Sequence, residues 1–297
     1  MSFAKVYSAQ VNLLSGVIVT IEVDLSRGLH TFNVVGLPDK AVDESKDRVS
    51  SAIKNSGFQS PKAKNQKIIV SLSPADLKKE GPFFDLAIAL SYMLASGDLK
   101  FNSEKKIFLG ELGLDGTLHR IRGALPLVQE AKRAGFEEVY LPKENAIEAA
   151  LVEDIKIFGA HSLKEVVDHI DETKILVSKD GEQKIRPKIK VQPKTEIIYK
   201  KEKKDSDFAD IRGQESAKRG LEIAAAGGHN ILLTGPPGTG KSMLAKAFPS
   251  ILPPLSREEM LEVTHLHSLA GDNYKAIVTN RPFRAPHHSA SSIAITG

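Results

Sequence analysis

The stretch Asn230–Phe248 constrains the fold of this chain more than any other. An apolar run, Asn230-Ile231-Leu232-Leu233-Thr234, leads into Gly235-Pro236-Pro237-Gly238-Thr239-Gly240-Lys241-Ser242, and Met243–Phe248 continues with helical character. This is G-x-x-x-x-G-K-[ST] between a predicted strand and a predicted helix. Glycines at 235, 238 and 240 permit backbone conformations barred to residues with a Cβ, so successive N–H groups can converge on phosphate oxygens. A helix opening at Lys241 adds the positive end of its dipole. In such a loop Lys241 reaches the β- and γ-phosphates and the Ser242 hydroxyl ligates Mg²⁺. The segment therefore predicts a site for ATP or a related nucleoside triphosphate with Mg²⁺. Gly235, Pro236, Pro237, Gly238, Thr239, Gly240, Lys241 and Ser242 line it, with Lys241 the catalytic cation and Ser242 the metal ligand. A chance glycine-rich turn is the plain alternative, and the correct flanks on both sides argue against it.

Composition narrows the remaining classes. The chain has 297 residues, enough for two domains with separate cores. Its 41% hydrophobic and 26% charged residues are those of a soluble globular protein. It has no cysteine, which excludes disulfides, cysteine nucleophiles and thiolate metal sites. Lys5, Gln10 and Asn12 interrupt the N-terminus before any secretory apolar run develops. No stretch approaches the roughly 20 apolar residues of a membrane span, so a cytoplasmic location with no membrane partner is expected. The net charge of +4 permits a nucleic-acid partner without requiring one.

Three parts follow along the chain. Residues 1–175 alternate strands and helices: strands over Val17–Val23, His30–Val35, Lys67–Leu72, Lys106–Gly110 and Glu138–Leu141, and helices from the Asp39 region to Asn55, over Phe83–Ala95, over Gly123–Ala134 and from near His161. Gly113-Leu114-Asp115-Gly116 is a turn. An α/β or α+β domain is indicated. Residues 176–204 change character, with ten basic against four acidic residues between 178 and 204, Pro187, Pro193 and little apolar content. They read as an extended basic linker, either a solvated tether or an arm that touches nucleic-acid phosphates. Residues 205–297 carry the P-loop, preceded by a helix over Glu215–Ala226.

Upstream of the loop stands Asp207-Phe208-Ala209-Asp210-Ile211-Arg212-Gly213-Gln214. This D-F-x-D-I-x-G-Q string and the P-P-G-T-G-K-S form of the loop resemble AAA+ ATPases, in which the upstream element packs against adenine. The resemblance assigns Asp210, Ile211 and Gly213 to a base pocket, while a capped helix start is the structural alternative. Further strings resemble the Mg-chelatase-like AAA+ proteins of the YifB/ComM type. They are His265-Leu266-His267-Ser268-Leu269-Ala270-Gly271, Arg281-Pro282-Phe283-Arg284-Ala285-Pro286-His287-His288-Ser289, Val35-Gly36-Leu37-Pro38-Asp39, Leu72–Gly81 and Leu141–Asn145.

That resemblance implies a ribosomal-protein-S5-like, Lon-peptidase-like α/β fold for residues 1–175 and the start of a P-loop AAA+ α/β/α domain for residues 205–297. Lon-type peptidases pair a serine with a lysine. The matching positions here are Phe83 and Leu125, so the resemblance implies a domain without the dyad, serving as an assembly or partner surface. It also implies a complete protein that forms a homo-hexamer and uses ATP to drive branch migration on DNA, with a chelatase-type remodelling subunit as the rival and a Lon-like peptidase a distant third. His287 and His288 read as metal ligands, as part of a loop with Arg281 and Arg284 facing DNA or a neighbouring subunit, or as structural residues. After Ser242 the acidic residues are Glu258, Glu259, Glu262 and Asp272, and none ends an apolar strand. The strand ending in Asp-Glu that hydrolysis needs is thus expected beyond Gly297, which makes this chain a C-terminal truncation that binds nucleotide without turning it over well.

Overall fold

The computed structural model describes residues 2–172, 176–177, 183–184, 188–197, 206–270, 277–287 and 289–293. They divide into two compact units, Met1–Glu196 with His265–Ala276, and Ile197–Thr264 with Ile277–Gly297.

The first unit is a mixed α/β layer structure. Its elements in chain order are β1 (Phe3–Asn12), β2 (Ser15–Arg27), β3 (Thr31–Val35), α1 (Lys40–Asn55), β4 (Gln66–Ser73), α2 (Asp85–Ser96), β5 (Lys106–Phe108), the hairpin β6 (Glu111–Leu112) and β7 (Leu118–His119), α3 (Ala124–Arg133), β8 (Glu138–Pro142), α4 (Ala146–Ala149), β9 (Lys156–Ala160) and α5 (Leu163–Ile170). Seven strands form one sheet in the order β3-β4-β2-β1-β5-β8-β9. The pairs β1–β2 and β2–β4 are antiparallel and the other four are parallel.

Alternation decides which side chains meet which layer. In β8, Tyr140 joins a cluster with Val19, Ile21, Leu86, Leu90 and Phe158, whereas Val139 and Leu141 join another with Leu127, Val128 and Ile157. Each such side chain contributes about 1.5–3 kcal/mol on burial. The expected helix over Phe83–Ala95 forms as α2 after a single 3-10 turn, Pro82–Phe84, and is buried on nearly every side. Gly97 in the left-handed region ends it. Asp39 caps α1 by accepting from Val42 N at 2.8 Å. Sequence reading omitted β1 and β9. β1 buries Ser8 and Gln10 among its apolar residues, which blurs the alternation, and β9 is only five residues long.

Among the buried polar groups of this unit, Asp85 and Lys79 are fully enclosed and charged. The Asp85 carboxylate accepts from Arg48 at 2.8 Å (Nε) and 3.1 Å (Nη2) and from Leu112 N at 3.2 Å. Lys79, fully buried, turns its ammonium onto the carbonyls of Pro74 and Leu77. It thereby closes the loop after β4, which Gln10 braces through Lys78 O (2.8 Å) and Glu80 N (3.2 Å).

The expected tether behaves differently where it is described. Leu176–Val177 (β10) pairs with Gln183–Lys184 (β11) in an antiparallel ladder. Residues 188–196 form no regular element but are bound to the first unit beside β9. Ile189 N donates to His169 Nδ1 (3.0 Å), Gln192 N to Ile157 O (2.8 Å) and Thr195 N to Ala150 O (3.1 Å). Lys194 pairs with Glu153 at 2.7 Å. A pocket of about 200 Å³ lies under this arm, floored by Ala150, Val152, Ile155 and Ile157. The arm is held because an edge strand leaves backbone acceptors open, and composition alone does not show which chain segment will find them.

The second unit contains α6 (Glu215–Gly227), α7 (Lys241–Ala247) and the start of α8 (Arg257–Ala270). Its small core gathers Ile211, Leu221, Leu244 and Ala247, with Phe208 and Leu233 against them.

Candidate functional site

After α6 the chain runs on without regular secondary structure to the glycine-rich loop. The strand expected over Asn230–Thr234 does not form: these residues have no ladder partner among the described residues, and Leu232 is 84% exposed. An apolar run becomes a strand only when neighbouring chains supply hydrogen bonds on its edges. Leu233 alone among its leucines packs inward.

The loop itself takes the conformation its glycines allow. Gly238 and Gly240 have φ of 82° and 86°, and a Cβ at either would point into open space. Thr239 Oγ1 donates to Pro236 O at 3.0 Å and tightens the turn. Gly240 starts α7 without a side-chain cap, so the N–H groups of Lys241, Ser242 and Met243 have no intrahelical acceptor. Lys241 bends back over the loop, donating to Gly235 O at 2.8 Å and Pro236 O at 2.6 Å. Ser242 is exposed beside it, and the inward pair Leu244 and Ala247 anchors the helix. Free backbone donors, a cation and a hydroxyl thus share one exposed loop, and these are the groups a polyphosphate with a divalent cation requires.

The upstream string comes to the same place. Phe208–Asp210 forms a 3-10 turn closed by a capping box between Asp207 and Asp210. Phe208 N donates to Ser250 Oγ at 3.0 Å, just past α7. Ile211 is 6% exposed and packs in the core with Leu244 and Ala247. The Asp210 carboxylate is tied into the cap and the Ile211 side chain into the core, while Asp210, Arg212 and Gly213 (φ 70°) are exposed. Gln214 closes it from the left-handed region and donates from Nε2 to Thr239 O at 3.3 Å. Ser250 carries no motif of its own and Gln214 ends the D-F-x-D-I-x-G-Q string without an assigned role, so only their reach reveals what they do.

The remaining candidates separate. Ser256 and Glu259 form a capping box at the start of α8, with Glu259 N to Ser256 Oγ at 3.1 Å and Ser256 N to Glu259 Oε2 at 2.7 Å. Arg281 joins the same carboxylate at 3.2 and 3.3 Å and donates to Pro253 O at 2.8 Å. Hydrogen bonding from Ser256, then Arg281, holds Glu259 below the usual carboxylate range. Arg281 is therefore a brace inside this unit rather than an open cation. Arg284 is exposed, His287 Nδ1 lies 2.7 Å from Ser289 Oγ, and His288 and Asp272 lie outside the described residues. Among the described residues no three His, Asp or Glu side chains gather where a metal ion could sit. In the first unit Leu125 is fully buried and Phe83 packs partly buried against an apolar cluster, so neither position offers a nucleophile or a base.

Two family descriptions match the chain: "Subunit ChlI of Mg-chelatase" over residues 21–145 and "Magnesium chelatase, subunit ChlI" over residues 207–297. The chain is 42% identical over 299 residues to the YifB protein of Salmonella typhimurium, covering all of this chain and 55% of that protein. It is 40% identical over 303 residues to the competence protein ComM of Haemophilus influenzae, again over its full length and 56% of the relative. The chain belongs to the Mg-chelatase-like family of the YifB/ComM type. A shorter similarity, 30% over 98 residues, joins this Mg-chelatase-like chain to the DNA repair protein RadA of Streptococcus pneumoniae, covering 33% of the chain and 23% of that protein. The chain spans about half the length of the YifB and ComM relatives it matches. No helix among its described residues is long and apolar enough to cross a membrane.

Proposed function

We propose that this Mg-chelatase-like protein binds ATP with Mg²⁺ on the loop Gly235–Ser242. The uncapped start of α7 beneath the Lys241 ammonium carries this reading. The residues fit the ligand: Gly238, Gly240 and the first turn of α7 offer N–H donors to phosphate oxygens, Lys241 offers charge, and Ser242 offers an oxygen to Mg²⁺. Bound Mg²⁺ would neutralise charge on the phosphates. The Lys241→Met variant tests the reading directly. Its affinity for ATP is expected to fall by at least tenfold in a calorimetric titration, since a charge-assisted contact contributes about 1.5–3 kcal/mol. Equal binding by both proteins would sink the assignment.

For the protein as a whole the reading is an AAA+ ATPase that assembles as a homo-hexamer, works in the cytoplasm and drives DNA strands apart or past one another. The names of its relatives, a competence protein and a DNA repair protein, support a DNA partner. The first unit then serves as an assembly or partner surface in a Lon-like fold. The apolar residues at positions 83 and 125 weigh against peptidase activity. The chelatase descriptions of both matched segments favour a second reading, a subunit that remodels a metal-inserting partner with ATP. ATP turnover measured with and without forked DNA on a chain of the relatives' length separates the two. Stimulation by DNA supports the motor, and indifference to DNA supports the remodelling subunit.

A further inference from the structure

We infer that Gln214 is a positioning residue that couples the upstream string Asp207–Gly213 to the phosphate loop through the Thr239 carbonyl. The inference rests on the proposed nucleotide site. Gln214 precedes α6 with φ 58° and ψ 38°, directly after Gly213 at φ 70°. This region disfavours a residue with a Cβ, and glycine would occupy it freely. A residue retained only to start α6 would bond into that helix, as Ser, Asp or Asn does. The Gln214 side chain makes no capping bond to α6 and reaches 25 residues along the chain to Thr239 O instead. That carbonyl immediately precedes Gly240 and Lys241, and Thr239 is itself tied to Pro236.

The upstream string is fastened at three points. Phe208 N meets Ser250 Oγ, Ile211 packs on Leu244 and Ala247, and Gln214 meets Thr239. The first two hold it to the body and far end of α7; Gln214 joins it to the loop. A base lying on the string and a triphosphate lying on the loop are therefore set in register by this side chain.

Titration of ATP and of inorganic tripolyphosphate, each with Mg²⁺, against the wild type, Gln214→Asn and Gln214→Met tests this. Asparagine tolerates the left-handed backbone and keeps the amide but falls one methylene short. Methionine keeps the length without charge and offers the carbonyl no donor. Loss of one hydrogen bond predicts an ATP affinity about three- to tenfold lower in both variants, with tripolyphosphate binding unchanged within twofold. Equal losses for the two ligands would overturn the coupling, because Gln214 would then merely shape the loop. Unchanged ATP binding would also overturn it. A wild type that binds neither ligand would instead remove the nucleotide site on which the inference stands.

Discussion

Asp85 shows how a single side chain can organise the first unit. It opens α2 with no exposed surface, and burial pushes its carboxyl up to about 6 against the opposing pull of Arg48. Because the folded value lies above the unfolded one, this group favours folding most below pH 4 and that contribution fades as pH rises through about 6. The pair still joins three elements, since Arg48 lies on α1, Asp85 on α2 and Leu112 on β6. Removing the Asp85 carboxylate leaves the half-buried Arg48 guanidinium, still bonded to Ala41 O, without its counter-charge and the Leu112 N–H without this acceptor. Asp85→Ala is expected to destabilise the unit by about 3 kcal/mol, the lower end for a broken buried pair because Arg48 keeps some access to water. Chemical denaturation checks this, and the double variant with Arg48→Met should recover part of the loss. At the same scale the site was only partly legible. Lys241 and Ser242 follow from the motif and the Asp207–Asp210 cap from its three-residue spacing, but the bond of Arg281 to Glu259 does not, because side-chain partners many residues apart are set by packing.

Among the elements, the arm at residues 188–196 departs most from its composition. Four lysines and an arginine fall between 184 and 194, and such a stretch reads as solvated. Yet Ile189 packs against the core, and its amide donates to His169 Nδ1, a bond only an unprotonated nitrogen can accept. His169 lies on α5 against Phe158 (4.8 Å) and Tyr140 (5.7 Å). Burial lowers its pKa from the ordinary 6.5, opposed by Glu138 and assisted by Lys188 and Lys106. A histidine depressed on docking gives stability that is present above the unfolded value and lost as pH falls through the folded one. Amide-exchange protection at Ile189 and Gln192, corrected for intrinsic rates, should therefore be high at pH 7.5 and drop below pH 6. His169→Asn places an oxygen near the Nδ1 position and does not titrate, so protection there should be independent of pH. A pH dependence that survives in this variant would assign the effect elsewhere. The helices were the most legible elements, since α1, α2, α3, α5, α6 and α7 lie within a few residues of their predicted spans. Their periodicity and caps are local signals, whereas β9 and the arm that lines it depend on partners distant in sequence.

At the scale of the molecule, the two units rest on separate cores. The larger has two extensive apolar clusters, and the smaller gathers a handful of residues around α7. Separate cores predict separate unfolding transitions in calorimetry. ATP with Mg²⁺ at 100 times its dissociation constant should stabilise the smaller unit by about 2.7 kcal/mol and leave the larger transition in place. Lys241→Met should abolish that shift, and movement of both transitions together would show that the units unfold as one. Most helices, several strands, the α/β class and the glycine loop were readable directly from the residues, because periodicity, capping and left-handed glycines act over a few positions. Three outcomes depended on tertiary structure. Asn230–Thr234 has no ladder partner among the described residues, the basic arm lies bound beside β9, and Gln214 reaches the loop. Each depends on which distant backbone groups need a partner, and a linear pattern of residue types does not contain that information.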